Sequence, residues 1–311
     1  MTPARPQIHT LSLTPPRPFR LATTLFAHGW IDLAPHLYLI EHRALLTTLV
    51  AGGEALDVRV DQRGARLRAR ALAPRPLTRP ELGELRRGLA RMLHLDLDLG
   101  GFWRRCAREP RLRWVARCGA GRLLRAPTLF EDLLKILFTT NCSWAATRKM
   151  VQRTVDLLGP RSPGGRAAFP DAATCAAQPP AFWREQVRAG YRSAHVTALA
   201  ERFASSRHAE AHFCDPDLDT AELRRRLLAL PGFGPYAAGQ ALRLLGRHQD
   251  LALDSWCRGK LARMQGRRRP PSDAAVERAY RGFAPWQGLA LWMDLTADWH
   301  RTLARKGVPS W

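Results

Sequence analysis

Residues 221–246, AELRRRLLALPGFGPYAAGQALRLLG, carry the most specific chemistry in this chain. Two stretches of helical character flank Leu230, Pro231, Gly232, Phe233 and Gly234. Gly232 and Gly234 permit positive φ and close backbone approach. Pro231 stops the first helix, and Pro235 stands where its fixed φ suits the start of the second. The spacing predicts a tight hairpin whose N–H groups point outward at a helix N-terminus, an arrangement that binds phosphate oxygens without any side chain. An ordinary αα-corner would share the turn. The longer pattern, with Leu227 and Leu230 before it and Ala237, Ala238 and Ala241 after it, favours the phosphate reading. Further on, Asp254 follows the apolar Leu251 and Leu253 and precedes SWCRGKLARM. That placement reads as a helix N-cap whose carboxylate sits at the edge of the core.

The composition agrees with a polyanionic partner. Lys and Arg total 49 against 27 acids, a formal net charge of +22. Neutralising phosphates with such a surface releases condensed counterions. The six cysteines form no CxxC pair, which argues against zinc or iron–sulfur ligation and fits a reducing cytosol. No apolar run reaches membrane-span length. The opening MTPARPQIHTLSLTPPRP is Pro-rich without an apolar h-region, so residues 1–16 are expected to be a disordered lead and not a secretory signal.

Two kinds of element must position the hairpin. From Phe19 to about Leu72, the segments FRLATTL, LYLIEHRALLTTLVAG, ALDVRVDQRG and ARLRARAL alternate or carry β-branched residues, and Gly-Gly and Arg-Gly turns break them. They predict an antiparallel sheet. Leu82, Leu85, Leu89 and Met92 predict a helix over 80–97. Thr128-Leu-Phe-Glu131 is a capping box opening TLFEDLLKILF, and Ser143 caps SWAATRKMVQRTVDLLG. Helices are expected near 179–189, 191–206, 219–229, 235–247, 254–264, 273–281 and 286–305.

These residues resemble a known family. LPGFGPYAAGQAL resembles the helix-hairpin-helix of the HhH-GPD DNA glycosylases, and GRHQDLALDSWCRGKL resembles the loop and catalytic Asp that follow it there. GRLLRAPTLFEDLLKILFTTNCSWAATRKMVQRTVDLLG (121–159) is similar to the start of the helical domain of 8-oxoguanine glycosylases. AGYRSAHVTALAERF (189–203) is similar to a helix of the same family, and YRGFAPWQGLALWMDL (280–295) resembles a segment of inducible alkylpurine glycosylases. The matches run through residues 98–305, and the first hundred residues compare loosely with the small β domain of those subfamilies. The resemblance implies a mostly α fold. A two-lobed helix-hairpin-helix domain (98–311) would follow a small antiparallel β-rich domain (17–97).

It also implies a base-excision-repair enzyme, cytoplasmic and nucleoid-associated, acting as a monomer on double-stranded DNA that carries an alkylated or oxidised purine. Asp254 would be the catalytic carboxylate, stabilising oxocarbenium character on the sugar and activating water. Leu230, Pro231, Gly232, Phe233, Gly234, Tyr236, Asn141 and Arg258 would contact DNA, with Asn141 filling space in the opened duplex. Members that cut the backbone use a Lys two residues after the second hairpin Gly. That position is Tyr236 here, and Lys260 is a poor substitute, so a monofunctional enzyme is expected. Cysteines are lacking after Cys257, so the terminal iron–sulfur cluster of some members cannot form. No cofactor is expected, and a monovalent cation at the hairpin stays open. A flipped base needs a pocket, for which Trp144, Tyr191, Tyr236, Trp256 and Trp286 are candidates, and electron-rich rings would favour a cationic alkylated purine. Arg148, Lys149 and Arg153 would serve phosphates or form a solvated face. The alternatives are a non-catalytic DNA-binding protein on the same fold, or an RNA-binding basic protein.

Overall fold

The computed structural model describes residues 6–206 and 208–308. It is mostly α, with one antiparallel sheet near the N-terminus. The strands are β1 (Gln7–Leu13), β2 (Leu37–Leu39), β3 (Ala44–Ala51), β4 (Glu54–Arg63) and β5 (Arg66–Ala73), in the spatial order β1-β5-β4-β3-β2. Gly52 and Gly53, at φ +60° and +76°, turn β3 into β4, and Gly64, at +58°, turns β4 into β5. Period-two alternation fixes the register, pairing Leu49 with Leu56 and Val60 with Ala69. Leu56, Val58, Val60, Leu67, Ala69 and Ala71 are fully buried. The helix Arg79–Met92, started by the Thr78–Glu81 capping box, packs on the sheet and contributes Leu85, Leu89 and Met92 to the core.

Two expectations near the N-terminus are corrected. Residues 1–16 are not a disordered lead throughout: residues 1–5 lie outside the described residues, and Gln7–Leu13 is an edge strand paired along its length with β5. Leu11 and Leu13 point into the core while Ile8 stays exposed, an alternation that the flanking prolines disguise. The FRLATTL segment holds the helix Leu21–Leu25, not a strand, and all five residues of that helix are buried. A short apolar run buried on every side has no periodicity to separate helix from strand.

The remaining helices lie close to their expected positions. Leu129–Thr139 is the central one, with Leu129 through Phe138 all buried. A helix apolar on every side needs neighbours all round it. The polar groups it carries are satisfied. Lys135 donates to Glu131 at 2.6 Å, while Asp132 accepts from Trp30 Nε1 at 2.8 Å, from the Ala126 amide at 2.8 Å and from Arg91 at 2.9 Å.

Several arginines are interior. Arg122 donates to the carbonyls of His94 and Leu97, and Arg125 to those of Arg91 and Leu244. These oxygens lie at or just beyond the C-terminal ends of the helices Arg79–Met92 and Pro235–Leu244, where carbonyls lack intrahelical donors and the dipole favours a cation. Among the described residues no helix is long and apolar enough to cross a membrane.

Candidate active site

The hairpin forms as its glycines and prolines dictate. The helix Thr220–Leu228, capped by Asp219, leads through a turn to the helix Pro235–Leu244. The Phe233 amide closes the turn on the Leu230 carbonyl at 3.1 Å. The two glycines do different work. Gly232 has φ +75°, and a Cβ there would meet Leu137 at 2.8 Å and His195 at 2.9 Å. Gly234 has φ −90° and nothing within 4 Å of the Cβ position. Gly232 therefore seats the turn on the protein, and Gly234 leaves the approach from outside clear. Among the described residues no acceptor takes the amides of Gly234, Tyr236 or Ala237. They form the expected unfilled N-terminus. The side chains of Leu230 and Phe233 are buried, so those two residues can offer only backbone to a ligand.

Asp254 opens the helix that follows the hairpin helix. Its Oδ1 accepts from the Cys257 amide at 2.6 Å and caps the helix Ser255–Met264. The Cys257 thiol is pushed up to about 12 by burial and by the Asp254 charge, so it stays protonated. Tyr236, half-buried on the hairpin helix, lies within electrostatic range of Asp254; burial raises its phenol above the ordinary value. The loop leading to Asp254 is held from three sides. Gly239 lets the hairpin helix approach Ala252, whose Cβ a side chain there would meet at 2.7 Å, and Gly288 lets the last helix, Gln287–Arg305, approach the Asp250 carbonyl. Arg243 donates to the Leu251 carbonyl at 3.0 Å, Asp250 Oδ1 accepts from the Ala252 amide at 2.7 Å, and Arg224 pairs with Asp250. Ala252 is thereby held at φ +46°, a conformation unusual for a residue with a Cβ. An open cleft of about 590 Å³ runs past Pro235, Tyr236, Leu251, Leu253, Arg258 and Arg281.

A second group of expected residues closes on Tyr236. Asn141, exposed and at φ +46°, donates to the Tyr191 hydroxyl at 3.1 Å, and Thr140 reaches that hydroxyl at 3.2 Å. Buried Arg192 donates to the Thr140 carbonyl and hydroxyl, and its guanidinium lies 4.5 Å from the Tyr191 ring centroid. Thr139 Oγ1 is 3.4 Å from the Tyr236 hydroxyl. The end of the central helix thus ties Asn141 and Tyr191 to the hairpin.

Other expected residues are placed differently. Trp286 packs against Phe102, with ring centroids 6.3 Å apart, and over Gly101, where a Cβ would strike its ring. Part of the ring is thereby taken up by packing. Trp144 lies on Gly29 and bonds Asp32 at 3.3 Å. Arg258 is not a free cation: it makes two 2.9 Å bonds to Asp273. Arg148 and Lys149 are exposed, whereas Arg153 turns to the Val187 carbonyl.

Trp256 is the exposed ring nearest in sequence to Asp254. It stands 5.9 Å from Trp292 and 5.7 Å from Trp299. Sequence reasoning missed Trp292, and with it Arg243, His28, Thr139, Arg192 and the two loop-seating glycines. His28 lies 5.6 Å from Trp292, and its pKa is lowered to about 3 by burial and by Arg243. Among the described residues no three His, Cys, Asp or Glu gather to hold a metal.

The fold has close counterparts among solved structures. It is similar to a 3-methyladenine DNA glycosylase from Archaeoglobus fulgidus, with TM-score 0.73 and 17% identity over 94% of this chain and 99% of that one. It is similar to an 8-oxoguanine glycosylase/lyase from Clostridium acetobutylicum in its apo form, with TM-score 0.69 and 15% identity over 95% of this chain and 99% of that one. It is also similar to MBOgg1 in complex with a low affinity DNA ligand, with TM-score 0.70 and 16% identity over 94% of this chain and 97% of that one. No family model matches the chain, and no curated protein matches it in sequence. At these identities the likeness is one of fold.

Proposed function

We propose that this protein is a monofunctional DNA glycosylase of the helix-hairpin-helix superfamily, hydrolysing the N-glycosidic bond of a damaged purine in double-stranded DNA. The observation that supports the reading is an Asp254 carboxylate within electrostatic range of Tyr236 on the hairpin helix, at the end of a loop held from three sides. The fold supports it, since the similar structures over the whole chain are glycosylases.

In this reading the amides of Gly234, Tyr236 and Ala237 take a backbone phosphate, as a helix N-terminus does. That grip sets the neighbouring sugar over Asp254. As the bond to the base stretches, positive charge grows on the sugar ring. A carboxylate already fixed by the Cys257 amide stabilises that charge without reorganising. The same carboxylate draws the proton from the attacking water, and the base leaves. The proposed hydrolysis draws on a carboxylate and water alone. Asn141, braced by Tyr191, fills the gap in the duplex. A Schiff base would require an amine beside the sugar. Tyr236 supplies none, and Lys260 is engaged by Asp298 at 2.5 Å. The division into a β-rich domain (17–97) and a helical glycosylase domain (98–311), acting as a monomer, belongs to the same proposal.

The test is excision from duplexes carrying alkylated purines, 8-oxoguanine, uracil or hypoxanthine, scored as alkali-labile sites. Wild type should release at least one base. Asp254→Asn should lose activity by a factor on the order of 10²–10⁴ while keeping its affinity for the duplex. Equal activity in the variant would refute the catalytic role, and binding without excision by wild type would favour the non-catalytic alternative. Borohydride should trap no covalent adduct.

A further inference from the structure

The aromatic group that includes Trp256, two residues after Asp254, already holds a cation. Arg243 is fully buried, and its guanidinium lies 4.6 Å from the centroid of Trp292. No carboxylate pairs with it among the described residues. Gln240 Oε1 and the Leu251 carbonyl accept from it at 3.0 Å, and its Nε has no partner. Lys260 also lies 5.8 Å from the centroid of Trp256, the exposed member of the group, but its charge is offset by Asp298 at 2.5 Å. Trp256, Trp292 and Trp299 touch one another with centroid separations of 5.7–5.9 Å. The field of Arg243 extends further. It lowers the pKa of His28, against Trp292, and of His248, each of which burial has already depressed, so that both lie at about 3. The acidic side chains within electrostatic range of Arg243 are Asp250 and Asp254, and burial still lowers its pKa.

An aromatic face attracts a cation through its quadrupole, and a guanidinium or ammonium already seated there uses that attraction. A second cation stacked on the same group of rings meets like charge in a poorly hydrated site, where Coulomb interactions are strong. A neutral base of equal size keeps the stacking and avoids the repulsion. We propose that the base site of this protein selects uncharged damaged purines over positively charged N-alkylated ones, and that Arg243 is the specificity-determining residue. The proposal rests on the glycosylase reading for the existence of a base site. It reverses the expectation from sequence that electron-rich rings would favour a cationic base. Arg243 acts through Trp292 and does not touch the base.

The test separates charge from shape. Asp254→Asn protein is titrated with two duplexes, one carrying 2′-fluoro-stabilised 7-methylguanine and the other its uncharged 7-deaza-7-methyl isostere. Binding is read by tryptophan quenching. The isostere should bind about tenfold more tightly, since like charge across a ring costs on the order of 1 kcal/mol. Adding Arg243→Met should close the gap, and Arg243→Lys should keep it. Arg243→Gln, neutral and still able to hydrogen-bond, is the second variant should Arg243→Met not fold, and it too should close the gap. In parallel, wild type should excise 8-oxoguanine faster than 7-methylguanine. Equal binding of the two isosteres, or tighter binding of the cation, overturns the proposal even if excision is observed. A preference for the isostere without any excision supports the charge filter and overturns only the catalytic reading.

Discussion

The hairpin turn precedes Asp254 in the chain, Trp256 of the aromatic group follows it, and the two regions are built by opposite means. The hairpin turn, Leu230–Gly234, presents main chain. Its apolar side chains point inward, Gly234 offers no Cβ obstacle, and no charged side chain lies between Leu227 and Ala238. The aromatic group presents side chains gathered from distant parts of the chain, joined by a buried cation and by Trp292 Nε1 donating to the Ala27 carbonyl at 2.7 Å. Under the proposed function, one surface would take what every nucleotide shares, and the other what distinguishes one base from another. The contrast teaches that grip and choice are separable here. Damage to one should leave the other readable.

Acid should produce the largest separation. His28 and His248 are both held near 3 against an ordinary 6.5, chiefly by burial. The unfolded chain binds more protons than the folded one between these values, so stability is fully present above about pH 6.5 and falls as pH drops toward 3. Each unit of separation is worth about 1.4 kcal/mol per group. Melting temperature should decline steeply from pH 7 to pH 4, led by the near-UV signal of the tryptophans. A flat profile would mean that these rings are not shielded. Next in size is Gly232→Ala, which drives a methyl toward Leu137 and His195 at positive φ. We expect a loss of about 1–3 kcal/mol in denaturant unfolding, together with weaker DNA binding.

Trp256→Ala should leave folding near wild type and remove a stacking face. Discrimination between damaged and undamaged duplex should shrink by about 1–3 kcal/mol, with affinity for undamaged duplex almost unchanged. Gly234→Ala should do the reverse on a smaller scale. Its backbone tolerates a side chain, so the melting temperature should hold, while affinity for all duplexes drops by about 1 kcal/mol. If Gly234→Ala changed base preference, or Trp256→Ala changed general affinity, the two surfaces would not be separable.

Their legibility in sequence follows the same divide. The hairpin is local: Pro231, Gly232, Gly234 and Pro235 each act within a few bonds of themselves, so their spacing is enough. Asp254 was legible for the same reason, as a cap in front of a helix. The aromatic group is not local. Trp256 could be singled out by its nearness to Asp254, but Trp292 and His28 are 264 positions apart and carry no shared signal. The packing of Trp286 over Gly101 was not legible, because a tryptophan after a proline looks the same whether it faces a cleft or packs. Arg243 carried the one usable hint, a lone cation in the apolar run ALRLL. The strand Gln7–Leu13 was hidden by the prolines that flank it, although its alternation was present.

The interior arginines bear on how this molecule meets its partner. Arg122, Arg125, Arg192 and Arg243 count toward the +22 of the chain, yet each is buried and engaged by main-chain oxygens. Ions in solution cannot exchange with them, and a nucleic acid cannot displace counterions from them. A salt titration would therefore register a thinner coat of positive charge than the amino-acid count announces. Part of what resembles an adhesive exterior is internal bracing.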